Sequence, residues 1–335
     1  MTVLITGGAG FIGSNFIPYF LKEYQDTHVI NLDKLTYAGE LSNLEEAKNH
    51  PNYTFVQGDI CERELVENLF NQYNFQGVIH FAAESHVDNS IERPEAFIQT
   101  NVLGTFTLLD VARQYWMEAP FKAKEEYKNA RFHHISTDEV YGSLGKTGLF
   151  TEKTAYAPNS PYSASKASSD FVVRSYFHTY GMNVVTTNCS NNYGPKQHDE
   201  KLIPTIIRRA LNNESIPIYG DGKNVRDWLY VLDHCKGIDL VYQKGKVGEV
   251  YNIGGKNERT NLYIANTICE ILDEMNPKQE SYKKLITFVT DRPGHDFRYA
   301  IDASKIEKKL GWNADENFET GIRKTIEWYI KKYKG

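Results

Sequence analysis

At 335 residues the chain is long enough for one large α/β domain with an appended lobe, or for two domains. Its 41% hydrophobic and 24% charged residues are ordinary for a globular core, and no apolar run reaches the roughly 18 residues of a membrane helix. A net charge of -5 argues against a nucleic-acid partner, so any cations that hold an anionic ligand must be local. The opening Met1-Thr2-Val3-Leu4-Ile5-Thr6 enters a strand directly, with no charged leader before it. Cys61, Cys189, Cys235 and Cys269 are scattered without CxxC spacing, and the ten His residues form no HxxxH cluster. His133 and His134 are adjacent, so on a strand they point to opposite faces. These features lead us to expect no metal, reduced thiols and a cytoplasmic location.

In chain order, the pattern predicts a strand at Val3–Ile5, a helix from Phe11 to Tyr24, and strands at Val29–Leu32 and Tyr53–Val56. A helix from Glu62 to Gln72, a strand at Val78–Phe81 and one long helix from Pro94 to Trp116 follow. A strand through Phe132–Ser136 comes next. A helix then runs from Tyr162 to Tyr180, opened by the cap candidate Asn159-Ser160-Pro161, and a buried strand covers Val184–Thr187. Strands alternating with helices at this spacing mean an α/β, doubly wound parallel sheet of the Rossmann type. After about Tyr193, Pro, Gly and Asn become frequent and punctuate short elements. We therefore expect a Rossmann domain over residues 1–192, completed by segments around 225–255, and a smaller mixed lobe over 193–335 that binds substrate.

Thr6 to Gly13 joins the first strand to the first helix with glycines at 7, 10 and 13. Gly7, Gly10 and Gly13 serve a tight turn, backbone approach to a pyrophosphate and close helix–strand packing, and the helix N-terminus faces the phosphates. Asp33 ends the second strand twenty residues on, where an acid accepts hydrogen bonds from the adenosine ribose and repels a 2′-phosphate. NAD is thus expected over NADP, with neighbouring Lys34 pulling slightly the other way. Asp59 lies at the carboxyl edge of the third strand, where cofactor contact and a plain strand end weigh about equally.

Tyr162 and Lys166 form a YxxxK pair on one helix face. A tyrosine of ordinary pKa about 10 is too weak a base at neutral pH. A nearby ammonium, a cationic nicotinamide ring and the helix N-terminus all favour its phenolate. Such a tyrosine takes a hydroxyl proton while NAD⁺ takes the hydride, and together with the glycine turn the pair marks the short-chain dehydrogenase superfamily. Thr137 ends the fifth strand, placed to hydrogen-bond the reacting hydroxyl. Asp138 and Glu139 follow directly. Water elimination needs one group to remove a carbon-bound proton and another to protonate the leaving hydroxyl, and close carboxyls split their pKa values. A turn or helix cap is the competing explanation of the two acids.

The segments LITGGAGFIGSNF, LDKLTYAGELSNL, FAAESHVDNSI, NVLGT, ISTDEVYG, SPYSASKASSD, NNYGP, KLIP, IPIYGDG, RDWLYV and DRPGHD together resemble the dTDP-glucose 4,6-dehydratases over nearly the whole chain. The resemblance implies Tyr162 as base for oxidation at carbon 4, supported by Lys166 and Thr137. It implies Glu139 as base at carbon 5 and Asp138 as acid toward the carbon-6 hydroxyl. NAD would be retained through each cycle, the hydride returning to carbon 6. Phe11, Ile12, Asp33, Lys34, Leu35, Thr36, Asp59, Ile60, Ala82, Ala83, Thr100 and Asn192 match positions around the cofactor. Ser85, Asn191, Lys201, Leu202, Pro217, Ile218, Tyr219, Arg226, Asn261, Asp291, Arg292 and His295 match the nucleotide-sugar side. Among these, Arg226 and Arg292 are suited to a pyrophosphate and Tyr219 to stacking a base. Asn261 as a helix cap, Pro217 as a turn residue and Arg226 in a salt bridge are the plain alternatives. Asn89, Leu232, Phe297 and the segment 196–200 depart from the family pattern.

The resemblance further implies a homodimer through the helices Pro94–Trp116 and Tyr162–Tyr180, and a product that feeds rhamnose or other deoxysugar synthesis. The alternatives are a nucleotide-sugar 4-epimerase, a dehydratase for another nucleotide-hexose, and an NAD-sensing protein without chemistry. The first needs no carboxylate pair, and the intact Thr137, Asp138, Glu139, Tyr162 and Lys166 argue against the last.

Overall fold

The computed structural model describes residues 1–291 and 296–334. Seven strands form the main sheet: β1 Thr2–Thr6, β2 His28–Asp33, β3 Tyr53–Gln57, β4 Gly77–His80, β5 Arg131–Thr137, β6 Val184–Cys189 and β7 Val250–Ile253. Their order is β7-β6-β5-β4-β1-β2-β3, and every pair is parallel. β4 and β6 are buried along their whole length, as expected of strands covered on both faces. The chain winds outward from β1 to β3 and then restarts on the other side at β4. That reversal opens a crevice beyond the carboxyl ends of β1 and β4, where doubly wound sheets bind ligands.

Helices α1 Phe11–Glu23, α2 Arg63–Tyr73, α3 Thr105–Trp116, α4 Pro161–Tyr180 and α5 Val231–Lys244 sandwich the sheet. Phe16, Ile17 and Phe20 of α1 join Ile238 and Val241 of α5 in one core. Val66 and Phe70 of α2, Leu108 and Leu109 of α3 and Val173 of α4 build the other. The adjacent His133 and His134 do face opposite sides: His133 lies 3.1 Å from Thr187 Oγ1, whereas His134 meets Asp170 at 3.1 Å.

The predicted ends agree with the structure to within one or two residues for most elements, and α4 starts as its cap signal implies. Ser160 caps it, its Oγ accepting from Ser163 N at 3.1 Å while the Ser163 hydroxyl accepts from Ser160 N at 3.0 Å. The predicted single helix from Pro94 to Trp116 is instead three pieces: Pro94–Phe97, a π-helical stretch Ile98–Gly104, and α3. The wider turn brings Asn101 inward, where it accepts from Glu84 N at 2.8 Å and donates to Glu84 O at 3.0 Å and Ser165 Oγ at 2.8 Å. Gly104 allows the approach, since a Cβ there would stand 2.5 Å from the Ile60 side chain. These contacts are between elements distant in sequence, so 3.6-residue periodicity does not reveal them.

Beyond β6 the short strands Asn191–Tyr193, Val225–Tyr230 and Glu258–Thr260 form a mixed sheet, and Ile216–Tyr219 pairs with Ile286–Val289. The helices Leu202–Leu211, Asn261–Met275 and Phe318–Lys334 close a third core around Ile207, Ile268 and Ile326. Among the described residues no helix is long and apolar enough to cross a membrane.

Candidate active site

A cavity of about 300 Å³ lies at the carboxyl edge of the sheet. Its floor is the glycine turn. Gly7 has φ +72°, and a Cβ there would lie 2.5 Å from Ala82 N; one on Gly13 would lie 2.5 Å from Gly7 O. Any side chain at these positions would fill the cradle or push α1 off the sheet. Gly10 precedes α1, whose first-turn N–H groups have no carbonyl one turn back and point into the crevice. Asp33 accepts from Ala9 N and Leu35 N, each at 2.8 Å, which uses part of the four lone-pair sites of a carboxylate. Burial holds its pKa above the usual carboxylate value. Lys34 bonds Asp59 Oδ2 at 2.6 Å, so its charge is met by an acid instead of being offered to a phosphate. A glycine cradle, a helix N-terminus and an acid at the end of β2 fit an adenine dinucleotide without a 2′-phosphate.

The same cavity receives Thr137, Asp138, Glu139, Tyr162 and Lys166. Thr137 caps a short helical turn over Asp138–Tyr141, accepting from Glu139 N at 3.3 Å. The local turn and the inward-facing acids are therefore the same feature: the turn directs both carboxyls at the cavity. Asp138 is buried and Glu139 half-buried. Burial, then Glu139 and Asp227, push the Asp138 pKa well up, against the Arg226 guanidinium nearby. Asp138 Oδ2 is buried with no hydrogen-bond partner among the described residues.

Tyr162 departs from expectation. Burial, then the neighbouring Glu139 and Cys189, push its pKa up, and Thr137 acts against them. The protein alone therefore keeps the phenol protonated. Lys166 is fully buried, donates to Ile135 O at 2.8 Å, and has its pKa lowered to about 8 by burial.

Of the other cofactor positions, Phe11, Ile12, Thr36, Asp59, Ile60, Ala82, Ala83, Thr100 and Asn192 line the cavity. Leu35 does not; it packs against the α1–α5 core, with φ +58°. On the substrate side Ser85, Asn191 and Lys201 line it, Lys201 donating to Ser85 O at 3.0 Å. Leu202 and Ile218 pack into the third core instead. Pro217, half-buried, pairs with Thr287. Tyr219 is exposed on the smaller lobe, and the Gly220 that follows it lies against Asp291. Arg226 stacks 4.3 Å over Tyr299 and donates to Asp296 O at 2.9 Å. Asn261 is not the cap of its helix, because Thr260 fills that role by accepting from Tyr263 N at 3.1 Å. Arg292 and His295 lie outside the described residues.

Sequence reasoning missed Glu84, Ser136, Cys189, Gln197 and Glu200, all on the cavity wall. Glu84, Ser136 and Cys189 had a signal, since all three sit at or just past the carboxyl end of a sheet strand. The departures at Leu232 and Phe297 leave exposed side chains, and Asn89 lies near Tyr37 and His86. None of the three lines the cavity.

A doubly wound sheet with this cradle and a Thr–Tyr–Lys cluster at its edge defines an extended short-chain dehydrogenase/reductase. Residues 4–325 match the model of the GDP-mannose 4,6 dehydratase family. The dTDP-glucose 4,6-dehydratase of Salmonella typhimurium is 55% identical, over 98% of this chain and 93% of its own. A crystal structure of the dTDP-glucose 4,6-dehydratase from Bacillus anthracis in complex with NAD is 48% identical, with a TM-score of 0.88 over 100% of this chain and 98% of that one. Another, from Streptomyces venezuelae with NAD bound, is 44% identical, with a TM-score of 0.89 over 99% and 97%. The chain belongs to this family and, within it, to the dTDP-glucose 4,6-dehydratases.

Proposed function

We propose that the chain converts dTDP-glucose to dTDP-4-keto-6-deoxyglucose and water. It is a hydro-lyase that acts with NAD. When bound, NAD supplies a hydride acceptor for carbon 4, a hydride donor for carbon 6 and a positive ring charge near Tyr162. The reading of the residues rests on one observation: a buried acid with a strongly raised pKa, Asp138, next to a half-buried acid, Glu139, on the wall that also carries Tyr162 and Lys166.

Tyr162 takes the proton of the carbon-4 hydroxyl as that carbon is oxidised, and Thr137 holds the same oxygen. Since the protein alone, Lys166 included, favours the phenol, the cationic ring is needed beside Lys166 to make Tyr162 a base. The new ketone acidifies carbon 5, and Glu139 removes its proton. Asp138 stays protonated because of its burial, and gives its proton to the carbon-6 oxygen, which leaves as water. An epimerase needs no second carboxyl, and its reading has no use for a protonated Asp138.

Phe11, Ile12, Asp33, Lys34, Thr36, Asp59, Ile60, Ala82, Ala83, Thr100 and Asn192 hold the cofactor in this reading. Ser85, Asn191 and Lys201 hold the sugar nucleotide, with residues of the smaller lobe, including Tyr219, Arg226, Asn261 and Asp291, toward the nucleotide. We assign residues 1–192, with β7 and α5, to the cofactor domain and the rest chiefly to the substrate lobe.

Exposed apolar side chains at Ile98, Leu103, Phe106 and Phe171, on the 94–116 segment and α4, support a homodimer through these helices. Sedimentation at twice the monomer mass is the expected result; a monomer at micromolar concentration would remove this part. Four free cysteines fit a reducing cytoplasm, and the product class fits deoxysugar synthesis such as that of rhamnose. The reading as a whole is tested with a panel of dTDP-, UDP-, CDP- and GDP-glucose. dTDP-glucose should be turned over with a kcat/KM about tenfold or more above the others, the effect of roughly 1.4 kcal/mol of base contacts. Equal turnover of all four, or preference for another base, would contradict the assignment.

A further inference from the structure

Asp170, a buried ionisable residue on the helix that carries Tyr162 and Lys166, has no part in the chemistry above. Asp170 follows Lys166 by four residues and Tyr162 by eight, so the three share one face of α4. Its side chain is 5% exposed. Oδ2 accepts from Tyr156 Oη at 2.8 Å and from Ser136 Oγ at 3.0 Å, and Oδ1 lies 3.1 Å from His134 Nε2. Ser136 is the residue before Thr137, so the carboxylate ties α4 to the strand end that carries the catalytic threonine.

A buried carboxylate needs an opposite charge or a full set of donors. His134 does not provide the charge, because burial and then Lys166 push its pKa far down and keep it neutral. His80 is neutral for a similar reason, burial first and then His134 and Lys166. Tyr141 and Tyr156, which also face Asp170, stay protonated through burial. The Cys189 thiol, which faces Lys166 from β6, is likewise pushed up by burial. Lys166, one turn earlier on the same helix face, is the cation that acts on Asp170 among the described residues, and its ammonium is held directly by the neutral Ile135 carbonyl.

We propose that Asp170 is a positioning residue of the catalytic pair: its buried carboxylate, one helical turn beyond Lys166, is the counter-charge that keeps the Lys166 ammonium protonated. The inference rests on the proposed role of Lys166 beside Tyr162. Burial lowers the Lys166 pKa to about 8 and Asp170 is the first influence that raises it, while burial lifts Asp170 to about 6, with Lys166, Ser136 and Tyr156 opposing. Both members are charged between these two values. Without the carboxylate, Lys166 loses its proton at lower pH, and the ammonium that favours the Tyr162 phenolate goes with it.

The test is NMR titration of Nζ in lysine-¹⁵N-labelled protein without substrate, alongside the pH profile of kcat/KM on dTDP-glucose. In the wild type, the Lys166 signal should show its own transition near 8 and a smaller inflection near 6, where Asp170 gains a proton. Asp170→Asn should move the Lys166 transition down by about one unit or more, the size of a lost neighbouring charge. The alkaline limb of kcat/KM should move with it. Asp170→Glu should restore most of the shift. A merely structural role would lower the rate and leave the limb in place. The idea fails if Lys166 titrates at the same pH in the wild type and Asp170→Asn. It fails equally, with no variant needed, if the wild-type signal lacks the inflection near 6. A wild type that does not turn over dTDP-glucose contradicts the proposed function, whereas normal turnover with an unmoved Lys166 transition contradicts this inference alone.

Discussion

The Tyr162→Phe variant is expected to lose about 10²–10⁴-fold in kcat, the usual worth of a positioned base. In a single turnover with dTDP-glucose it should show no absorbance from reduced nicotinamide. The substitution removes one oxygen and leaves the ring, whose edge-on contact with Phe97 has centroids 6.2 Å apart, so packing is retained. What goes is the acceptor for the carbon-4 proton. With no acceptor, oxidation at carbon 4 does not begin, and all later steps stop with it. Cofactor reduction at the wild-type rate would remove Tyr162 from the role.

Glu139→Gln is expected to fail one step later. Oxidation proceeds, because Thr137, Tyr162 and Lys166 are intact. The amide cannot take the carbon-5 proton, so reduced nicotinamide builds up and persists, and kcat falls by about 10²–10⁴-fold. The backbone bond from Glu139 N to Thr137 Oγ1 does not depend on the side chain, so the turn that aims Asp138 survives. The variant also takes a charge away from Asp138, whose pKa Glu139 helps to raise. The two variants therefore separate in one assay: the tyrosine variant stays dark at the reduced-cofactor wavelength and the glutamate variant stays bright. Normal turnover by Glu139→Gln would show that the carbon-5 base is another group.

Most of the parallel sheet was legible because its signals are local. Strand runs such as Val184–Thr187, the glycines at 7, 10 and 13, and the cap at Ser160 each act within a few residues. That the five proposed catalytic positions share one cavity was legible for the same reason, as strand-end and helix-face neighbours. What stayed hidden depends on contacts between distant segments. The π-helical stretch 98–104 exists because Asn101 reaches Glu84 and Ser165. The protonation state of Tyr162 depends on burial and on Glu139, which the spacing YxxxK does not encode; from spacing alone the phenolate looked favoured. Asp170 was passed over because an acid on a helix is ordinarily solvated, and only the packing of α4 on β5 buries it.

The substrate positions were the least legible. Ser85 and Lys201 come together at the cavity, but Leu202 and Ile218 turned out to be core residues of the smaller lobe. An apolar residue in a loop-rich segment carries no local mark that distinguishes a ligand contact from packing.

Elimination of water across carbons 5 and 6 is distinguished from inversion at carbon 4 by incubating the protein with dTDP-glucose in D₂O and reading the product by NMR. The expected product is a 4-keto-6-deoxy sugar with a methyl group at carbon 6 and solvent deuterium at carbon 5, placed there when the proton that Glu139 removed is replaced from solvent. Recovery of dTDP-galactose with protium at carbon 5 would rule out elimination.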